Sequence, residues 1–364
     1  MKAIHAADID GPAESGMLLP LSAAQKTSSR GAPVAAARRP AALSILDAIR
    51  EALWLEMDRD ERVIILGEDV GKLGGVFRVT RGLFERFGPE RVFDTPLAEA
   101  SIAGASLGLA LGGMIPVAEI QFLGFTHQAF HQIGPQLGRY RFRSRGRFHA
   151  QVTIRAPFGG GSRTPEFHPD SIEAQFTQTP GMKVVCPAFP DDAKGLLLSA
   201  IRDPDPVLFL EPEKLYRTVS GPVPEGDHTV PIGSARLVQD GSDLTLISWS
   251  AGVHLCLRAA ERLAADGASV AVLDLRSIVP LDVDALVQAV SKTGRAVVVQ
   301  EAPLTGGFGA EVAATILEET FTSLDAPVQR VAAPDTPYPP GALEDYYLPS
   351  SDRVLAAARK ILNY

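Results

Sequence analysis

A proline-containing turn delivers one glutamate to the start of a helix, where a carboxylate could serve acid–base chemistry or only the helix itself. The string DTPLAEAS spans residues 94–101, and its turn delivers Glu99 to the first turn of a glycine-rich helix, at the end of a strand. Taken by itself, however, a first-turn glutamate more often only complements the helix dipole. The pattern alone therefore favours a structural role for Glu99 over a catalytic one.

Two further patterns point to sites that the rest of the sequence does not complete. His127 and His131 have the i, i+4 spacing of a zinc-protease helix, but Gln128 stands where the catalytic glutamate would be. No other His or Cys cluster is ready to complete a zinc site, so we interpret the pair as a polar helix face. The string TGGFG at residues 305–309 lacks the full G-x-G-x-x-G fingerprint, which favours a tight turn or a subunit contact over dinucleotide binding.

Composition excludes several classes of function. The chain has 364 residues, 46% hydrophobic and 21% charged, which is typical of a folded globular protein and too long for one domain of roughly 100–200 residues. The net charge of -8 is spread without a basic stripe, so nucleic acid is not an expected partner. The one basic run, residues 139–147, is interleaved with aromatic residues; we interpret it as a solvated or interface-facing helix end, with RNA stacking as the weaker alternative.

The cysteines and the chain's N-terminal part carry further expectations. Cys186 and Cys256 form no CxxC pair, so neither a disulfide framework nor a cysteine metal site is indicated. No apolar run reaches the roughly 18 residues of a membrane-spanning helix, so no membrane association is expected. Residues 1–40 are rich in Ala, Ser, Gly and Pro, and we expect a flexible appendage outside the fold. A bacterial cytoplasmic protein fits these features.

The elements that must position these residues alternate between helix and strand. Ser44 is a candidate N-cap for an amphipathic helix that extends through Met57, and buried strands are predicted after it. They are expected at residues 63–66, 115–120, 152–154, 184–186, 207–210, 244–248, 270–275 and 296–300, with helices at 253–265, 282–292, 310–321 and 352–362. Such βα alternation predicts an α/β fold with mostly parallel sheets. The Pro/Gly-rich stretch at 219–231 predicts a boundary between domains at 41–220 and 232–364.

Several strings in order resemble the beta subunit of the branched-chain 2-oxoacid dehydrogenase complex. They are GEDV (67–70), GGVFRVT (74–80), RVFDTPLAE (91–99), AEIQF (118–122), DAKGLLL (192–198), FLEPEKLYR (209–217), DLRSIVPLD (274–282), EAPLTGGFGAE (301–311) and DTPYP (335–339). The resemblance implies two α/β domains: a transketolase-like domain that binds the pyrimidine of thiamine diphosphate, and a transketolase C-terminal-like domain. The pyruvate and acetoin enzymes have similar subunits, but GGVFR, KLYR, EAPLTGGFGAE and DTPYP look more like the branched-chain type.

The resemblance assigns roles to a few residues. It implies that Glu99 bonds the ring nitrogen of the aminopyrimidine, with Leu97, Gln121 and Phe125 as pocket neighbours. The family commonly has tyrosine where Phe125 stands, so one hydrogen bond is expected to be lost. It also implies that His168 faces the substrate and helps acyl transfer to lipoate, although this chain continues with Pro-Asp where the family has Ser-Gln. A loop histidine without that resemblance would usually have no catalytic role.

The resemblance further implies a potassium ion bound largely by backbone carbonyl groups. The matching residues are Ala150, Val152, Thr153, Ala200, Asp203 and Asp205. Asp205 replaces a usual asparagine, and because carbonyl ligands leave little trace in a sequence, a plain strand-and-loop contact is the alternative.

Half of a thiamine-diphosphate site is missing from this chain. No GDG string is present, so Mg²⁺ and the diphosphate are expected on an alpha subunit of an α2β2 heterotetramer. The implied reaction is decarboxylation of a branched 2-oxoacid such as 3-methyl-2-oxobutanoate, then acyl transfer to a lipoyl transacylase core docked on the C-terminal domain. Glu344 and Asp345 could meet a basic module of that core or lie in a solvent-facing loop. The alternatives are a pyruvate or acetoin dehydrogenase subunit, and a noncatalytic scaffold subunit.

Overall fold

The predicted alternation of helices and strands is present in the computed structural model, which describes residues 41–364. The expected appendage at 1–40 lies outside the described residues. The strands are β1 (Ala41–Ser44), β2 (Val63–Gly67), β3 (Val92–Asp94), β4 (Ile115–Glu119), β5 (Thr153–Phe158), β6 (Lys183–Val185), β7 (Val207–Pro212), β8 (Ser220–Val223), β9 (Arg236–Gln239), β10 (Leu244–Ser248), β11 (Val270–Asp274), β12 (Ser277–Val279), β13 (Ala296–Pro303) and β14 (Gln329–Ala333).

The α-helices are α1 (Ile45–Arg59), α2 (Leu83–Phe87), α3 (Glu99–Leu111), α4 (Tyr140–Arg143), α5 (Ala174–Thr177), α6 (Pro190–Arg202), α7 (Ala251–Ala265), α8 (Val283–Thr293), α9 (Gly309–Thr320), α10 (Glu344–Tyr347) and α11 (Ser351–Leu362). Each predicted strand and helix begins and ends within four residues of its predicted bounds. Ser44 caps α1 as predicted, because its Oγ accepts a hydrogen bond from the amide of Asp47 at 3.1 Å. Among the helices between residues 41 and 364, none is long and apolar enough to cross a bilayer.

The first sheet places the ends of its central strands side by side. Its seven strands have the order β12-β6-β7-β5-β4-β2-β3, and only β12 runs antiparallel to its neighbour. In the register, Gly67 at the end of β2 lies opposite Glu119 in β4, and Glu119 lies opposite Arg155 in β5. Because parallel strands end at one edge, the loops that follow them meet there, which is the usual ligand-binding edge of an α/β sheet.

The second sheet has the order β14-β13-β10-β11-β9, with only β9 antiparallel. Both sheets are therefore mostly parallel, as predicted. The Pro/Gly-rich stretch proved to contain β8, which pairs with β1. In addition, β12 comes from the second half of the chain but joins the first sheet through β6. The described residues accordingly form one compact unit, and the proposed domain bounds stay a prediction.

A buried ionic cluster joins three strands of the first sheet. Arg155 in β5 donates to Glu119 at 2.9 Å and to Glu211 in β7 at 2.6 Å, and all three side chains are at most 5% exposed. The hydroxyl of Tyr216 donates to the other oxygen of Glu211. Since an unpaired buried charge is costly, this cluster fixes the relative positions of the strands that carry the site.

Candidate active site

Glu99 lies where the sequence predicts it, as the first residue of α3. The residue before the helix, Ala98, makes no side-chain capping hydrogen bond at the start of α3. The turn that precedes it is fastened to β2, because the amide of Thr95 donates to the carbonyl of Gly67 at 2.8 Å. Glu99 is only 5% exposed. A nearly buried carboxylate at a helix N-terminus can hold or release a proton at the edge where the strands end.

Gln128 is a candidate site residue that sequence reasoning missed. Its side-chain amide donates a hydrogen bond to Oε2 of Glu99. Gln128 directly follows a 3-10 helix at Leu123–His127, which replaces the α-helix face expected for His127 and His131. Within residues 41–364, no group of His, Cys, Asp and Glu could hold a metal ion. The absence of a glutamate at 128 was noted in the sequence, but no pattern linked that position to Glu99.

Glu68 is a second acid at this site that sequence reasoning did not single out. It follows β2 in the string GEDV and is 3% exposed. Neither of its carboxylate oxygens has a hydrogen-bond partner in the described part of the chain. Burial, followed by the charge of Glu99, raises the pKa of Glu68 to about 7. Glu68, whose charge interacts with that of Glu99, thus offers two unused acceptor oxygens to a polar ligand that donates hydrogen bonds.

His168 and Phe125, predicted separately, are brought together in an aromatic cluster. The ring of His168 makes edge contacts with Phe122 at 4.5 Å and with Phe125 at 5.0 Å between centroids. Its Nδ1 lies 3.1 Å from the carbonyl oxygen of Glu166. The loop reaches this position because Gly124 has no side chain: a Cβ there would overlap the carbonyl oxygen of Phe167.

The other predicted pocket residues are less enclosed in this chain. Gln121 is half-buried, whereas the side chain of Leu97 is 83% exposed. Because residues 41–364 leave Leu97 this exposed, a pocket role for it would require a second chain. The assignments of Leu97, Gln121 and Phe125 to a cofactor pocket stay predictions.

The residues predicted for potassium lie around the start of β5 and the end of α6, but several of their groups are already engaged. The carbonyl of Val152 accepts from the amide of Val207 at 3.0 Å, and that of Ala200 accepts from Asp203 at 3.3 Å. The ammonium of Lys183 lies 2.6 Å from the carboxylate of Asp203 and 3.8 Å from that of Asp205. The ammonium group of Lys183 therefore already balances charge at Asp203 and Asp205. The potassium site stays a prediction, and these contacts do not support it.

Comparisons with known proteins agree with this geometry. Residues 41–219 match the family model "Transketolase, pyrimidine binding domain", and residues 233–354 match "Transketolase, C-terminal domain". The chain is 51% identical to the "Pyruvate dehydrogenase E1 component subunit beta" of Bacillus subtilis over 324 residues, which are 89% of this chain and 100% of that protein. The protein with the same description from Staphylococcus epidermidis is 52% identical over the same shares.

A solved structure supports the fold. The chain described as "Split gene transketolase, inactive beta4 tetramer" is 26% identical, with a TM-score of 0.71 over 88% of this chain and 98% of that one. The predicted fold class is confirmed, and the predicted family is confirmed at the level of the 2-oxoacid dehydrogenases, while the branched-chain type is not. Because its relatives match over their full length, this chain belongs to the transketolase-like beta subunits of the 2-oxoacid dehydrogenases.

Proposed function

We propose that this chain is the beta subunit of a thiamine-diphosphate-dependent 2-oxoacid dehydrogenase and that it holds the aminopyrimidine end of the cofactor through Glu99. The supporting observation is the nearness of two acids beyond the ends of β2 and β3: Glu99 is 5% exposed, and both buried carboxylate oxygens of Glu68 lack a partner among residues 41–364. An aminopyrimidine presents hydrogen-bond donors and an acceptor nitrogen, which suits such a pair of acids.

Glu99 would hold a proton at the pyrimidine ring nitrogen, and Gln128 would keep its carboxylate in one orientation. Thiamine diphosphate, when bound there, would supply a nucleophilic carbon for the chemistry of the 2-oxoacid. Phe122 and Phe125 would shield this place from water, which strengthens the hydrogen bond to Glu99. His168, in edge contact with both rings, would act in acyl transfer to lipoate, where it would help position the substrate or donate a proton.

The cofactor requires a second chain. This sequence lacks the GDG string, so an alpha subunit would hold the diphosphate and Mg²⁺ in an α2β2 heterotetramer. A lipoyl transacylase core would then accept the acyl group. Leu97, exposed beside Glu99, is a candidate contact across the shared site.

Two substrates are supported by different observations. Branched-chain 2-oxoacids are supported by the strings GGVFR, KLYR, EAPLTGGFGAE and DTPYP. Pyruvate is supported by the description of relatives that are 51% and 52% identical. We retain the branched-chain substrate as the first hypothesis, and kcat/KM of the reconstituted tetramer for 3-methyl-2-oxobutanoate, pyruvate and acetoin decides between them. The highest value for pyruvate would overturn the branched-chain assignment.

The shared site is tested by mixing experiments. The purified chain should show no decarboxylation alone, and activity should appear on titration with the alpha subunit and reach a plateau at equal amounts of the two chains. Full activity of the chain alone would refute the shared site, and an inactive tetramer that assembles normally would favour the scaffold alternative.

A further inference from the structure

The histidine of the proposed site is carried by a loop that the second half of the chain holds in place. We name residues 160–171 the His168 loop. It follows β5, and most of its residues from 161 to 167 are exposed. Arg163 and Phe167 have left-handed backbone conformations, with φ of 55° and 71°. Non-glycine residues adopt this conformation only where surrounding contacts impose it.

The principal contact comes from Glu344, the first residue of α10. One carboxylate oxygen, Oε1, accepts hydrogen bonds from the amides of Gly161 at 3.0 Å and Arg163 at 3.2 Å, and from the hydroxyl of Tyr338 at 2.7 Å. Glu344 is 1% exposed, so it cannot serve a basic docking module from the surface. Hydrogen bonds from backbone amides to a buried carboxylate are strong and directional.

A second acid of the C-terminal half binds both ends of the same loop. Glu301, in β13, accepts from the amide of Gly160 and from the hydroxyl of Ser171, the latter at 3.4 Å. The close approach depends on glycine, because a Cβ at Gly160 would overlap the hydroxyl of Tyr338. The loop is thus fastened at residues 160, 161, 163 and 171, and His168 lies between the last two attachments.

We propose that Glu344 is a positioning residue for His168: by holding the amides of Gly161 and Arg163, it fixes the loop that presents the imidazole to the acyl-transfer step. The proposal rests on the proposed function, because it requires that His168 acts on the substrate. It also gives the C-terminal half a role in the chemistry, since Glu344 lies 183 residues from Gly161 in the sequence.

The neighbouring residue Asp345 provides a matched control. It is exposed and pairs with the exposed side chain of Arg163 at 3.1 Å. An ion pair of this kind holds a loop weakly, because water screens it. Removing the carboxylate of Asp345 therefore changes the same loop and helix without removing the buried anchor.

The test uses the assembled α2β2 enzyme and two partial reactions. The first is decarboxylation measured with ferricyanide as the electron acceptor, and the second is acyl transfer to a free lipoyl domain. Glu344→Ala should lower acyl transfer by at least about tenfold, as expected for a misplaced reacting group, and leave the ferricyanide rate within about twofold. Glu344→Gln, which retains an acceptor oxygen, should recover most of the transfer rate, and Asp345→Ala should match the wild type.

A double-mutant cycle separates positioning from a general structural role. If Glu344 acts through His168, the double variant His168→Ala with Glu344→Ala should be no slower in acyl transfer than His168→Ala alone. Additive losses, or equal losses in both partial reactions, would overturn the positioning role. Failure of the proposed function looks different: the wild-type tetramer would not reduce ferricyanide, or His168→Ala would transfer acyl groups at the normal rate.

Discussion

Gln128 donates a side-chain hydrogen bond to Oε2 of Glu99, joining the segment after a 3-10 helix to the first residue of α3. The two residues are 29 positions apart in the sequence. The other carboxylate oxygen, Oε1, accepts no hydrogen bond from residues 41–364 and is available to a ligand. The hydrogen bond from Gln128 also holds the Glu99 carboxylate in one orientation, although no side chain caps the start of α3.

Removing this donor should weaken the site without unfolding it. Because a typical hydrogen bond contributes about 0.5–1.5 kcal/mol and Gln128 is exposed, Gln128→Leu should lower kcat/KM of the tetramer by roughly twofold to tenfold. Gln136→Leu is the control, since Gln136 bonds His131 and Arg143 and not Glu99. Equal kinetics for Gln128→Leu and the wild type would show that Glu99 needs no such support.

Stability should depend on pH through Glu173, a fully buried acid whose oxygens have no partner of normal geometry among residues 41–364. Burial raises its pKa to about 7 from a usual value of 4.5. The folded protein therefore keeps this proton up to about pH 7, whereas the unfolded chain loses it near pH 4.5. The contribution of Glu173 to the free energy of unfolding should therefore decrease as the pH rises from about 4.5 to about 7.

The neutral variant Glu173→Gln removes that dependence. Its Tm should exceed that of the wild type at pH 8, where the free energy of unfolding should be higher by at most about 3 kcal/mol, and the difference should shrink toward pH 5. Thermal unfolding at several pH values measures this. A Tm difference that stays constant between pH 5 and pH 8 would contradict the assigned ionisation.

The buried ionic cluster predicts a large loss of stability on removal of its cation. Arg155→Met leaves Glu119 and Glu211 buried without a counter-ion, and the breaking of such a pair costs about 3–5 kcal/mol. The tetramer should melt at a much lower temperature. Arg62→Met removes an exposed pair with Asp60 and should change Tm far less, so similar effects of the two variants would refute the structural role of the cluster.

Local patterns in the sequence predicted the secondary structure well, because periodicity and capping are properties of neighbouring residues. Ser44, α1 and the buried strands are examples. Periodicity could not predict that β12, only three residues long, would join the first sheet. The contact of Glu344 with the His168 loop was equally hidden, because nothing in a local pattern links residues 183 positions apart.

Only some residues of the site were predicted, and they were predicted from the family resemblance and not from local pattern. Local pattern placed Glu99 at a helix start but favoured a structural role, and only the family resemblance gave it and His168 chemical roles. Glu68 and Gln128 were missed because their importance comes from folding next to Glu99. Three predictions stay untested: the potassium ligands, the pocket role of Leu97 and the domain bounds. They depend on a bound ion, a partner chain and a domain boundary, which neither the sequence pattern nor the fold tests.

The central claim, that Glu99 acts on the cofactor, is tested most directly by Glu99→Gln in the reconstituted tetramer. The amide keeps the shape of the side chain but cannot exchange the proton, so decarboxylation should fall by at least about 100-fold while the tetramer assembles with an unchanged Tm. Glu61→Gln, at an exposed position before β2, should retain the wild-type rate. Near-normal decarboxylation by the Glu99→Gln tetramer would contradict the account.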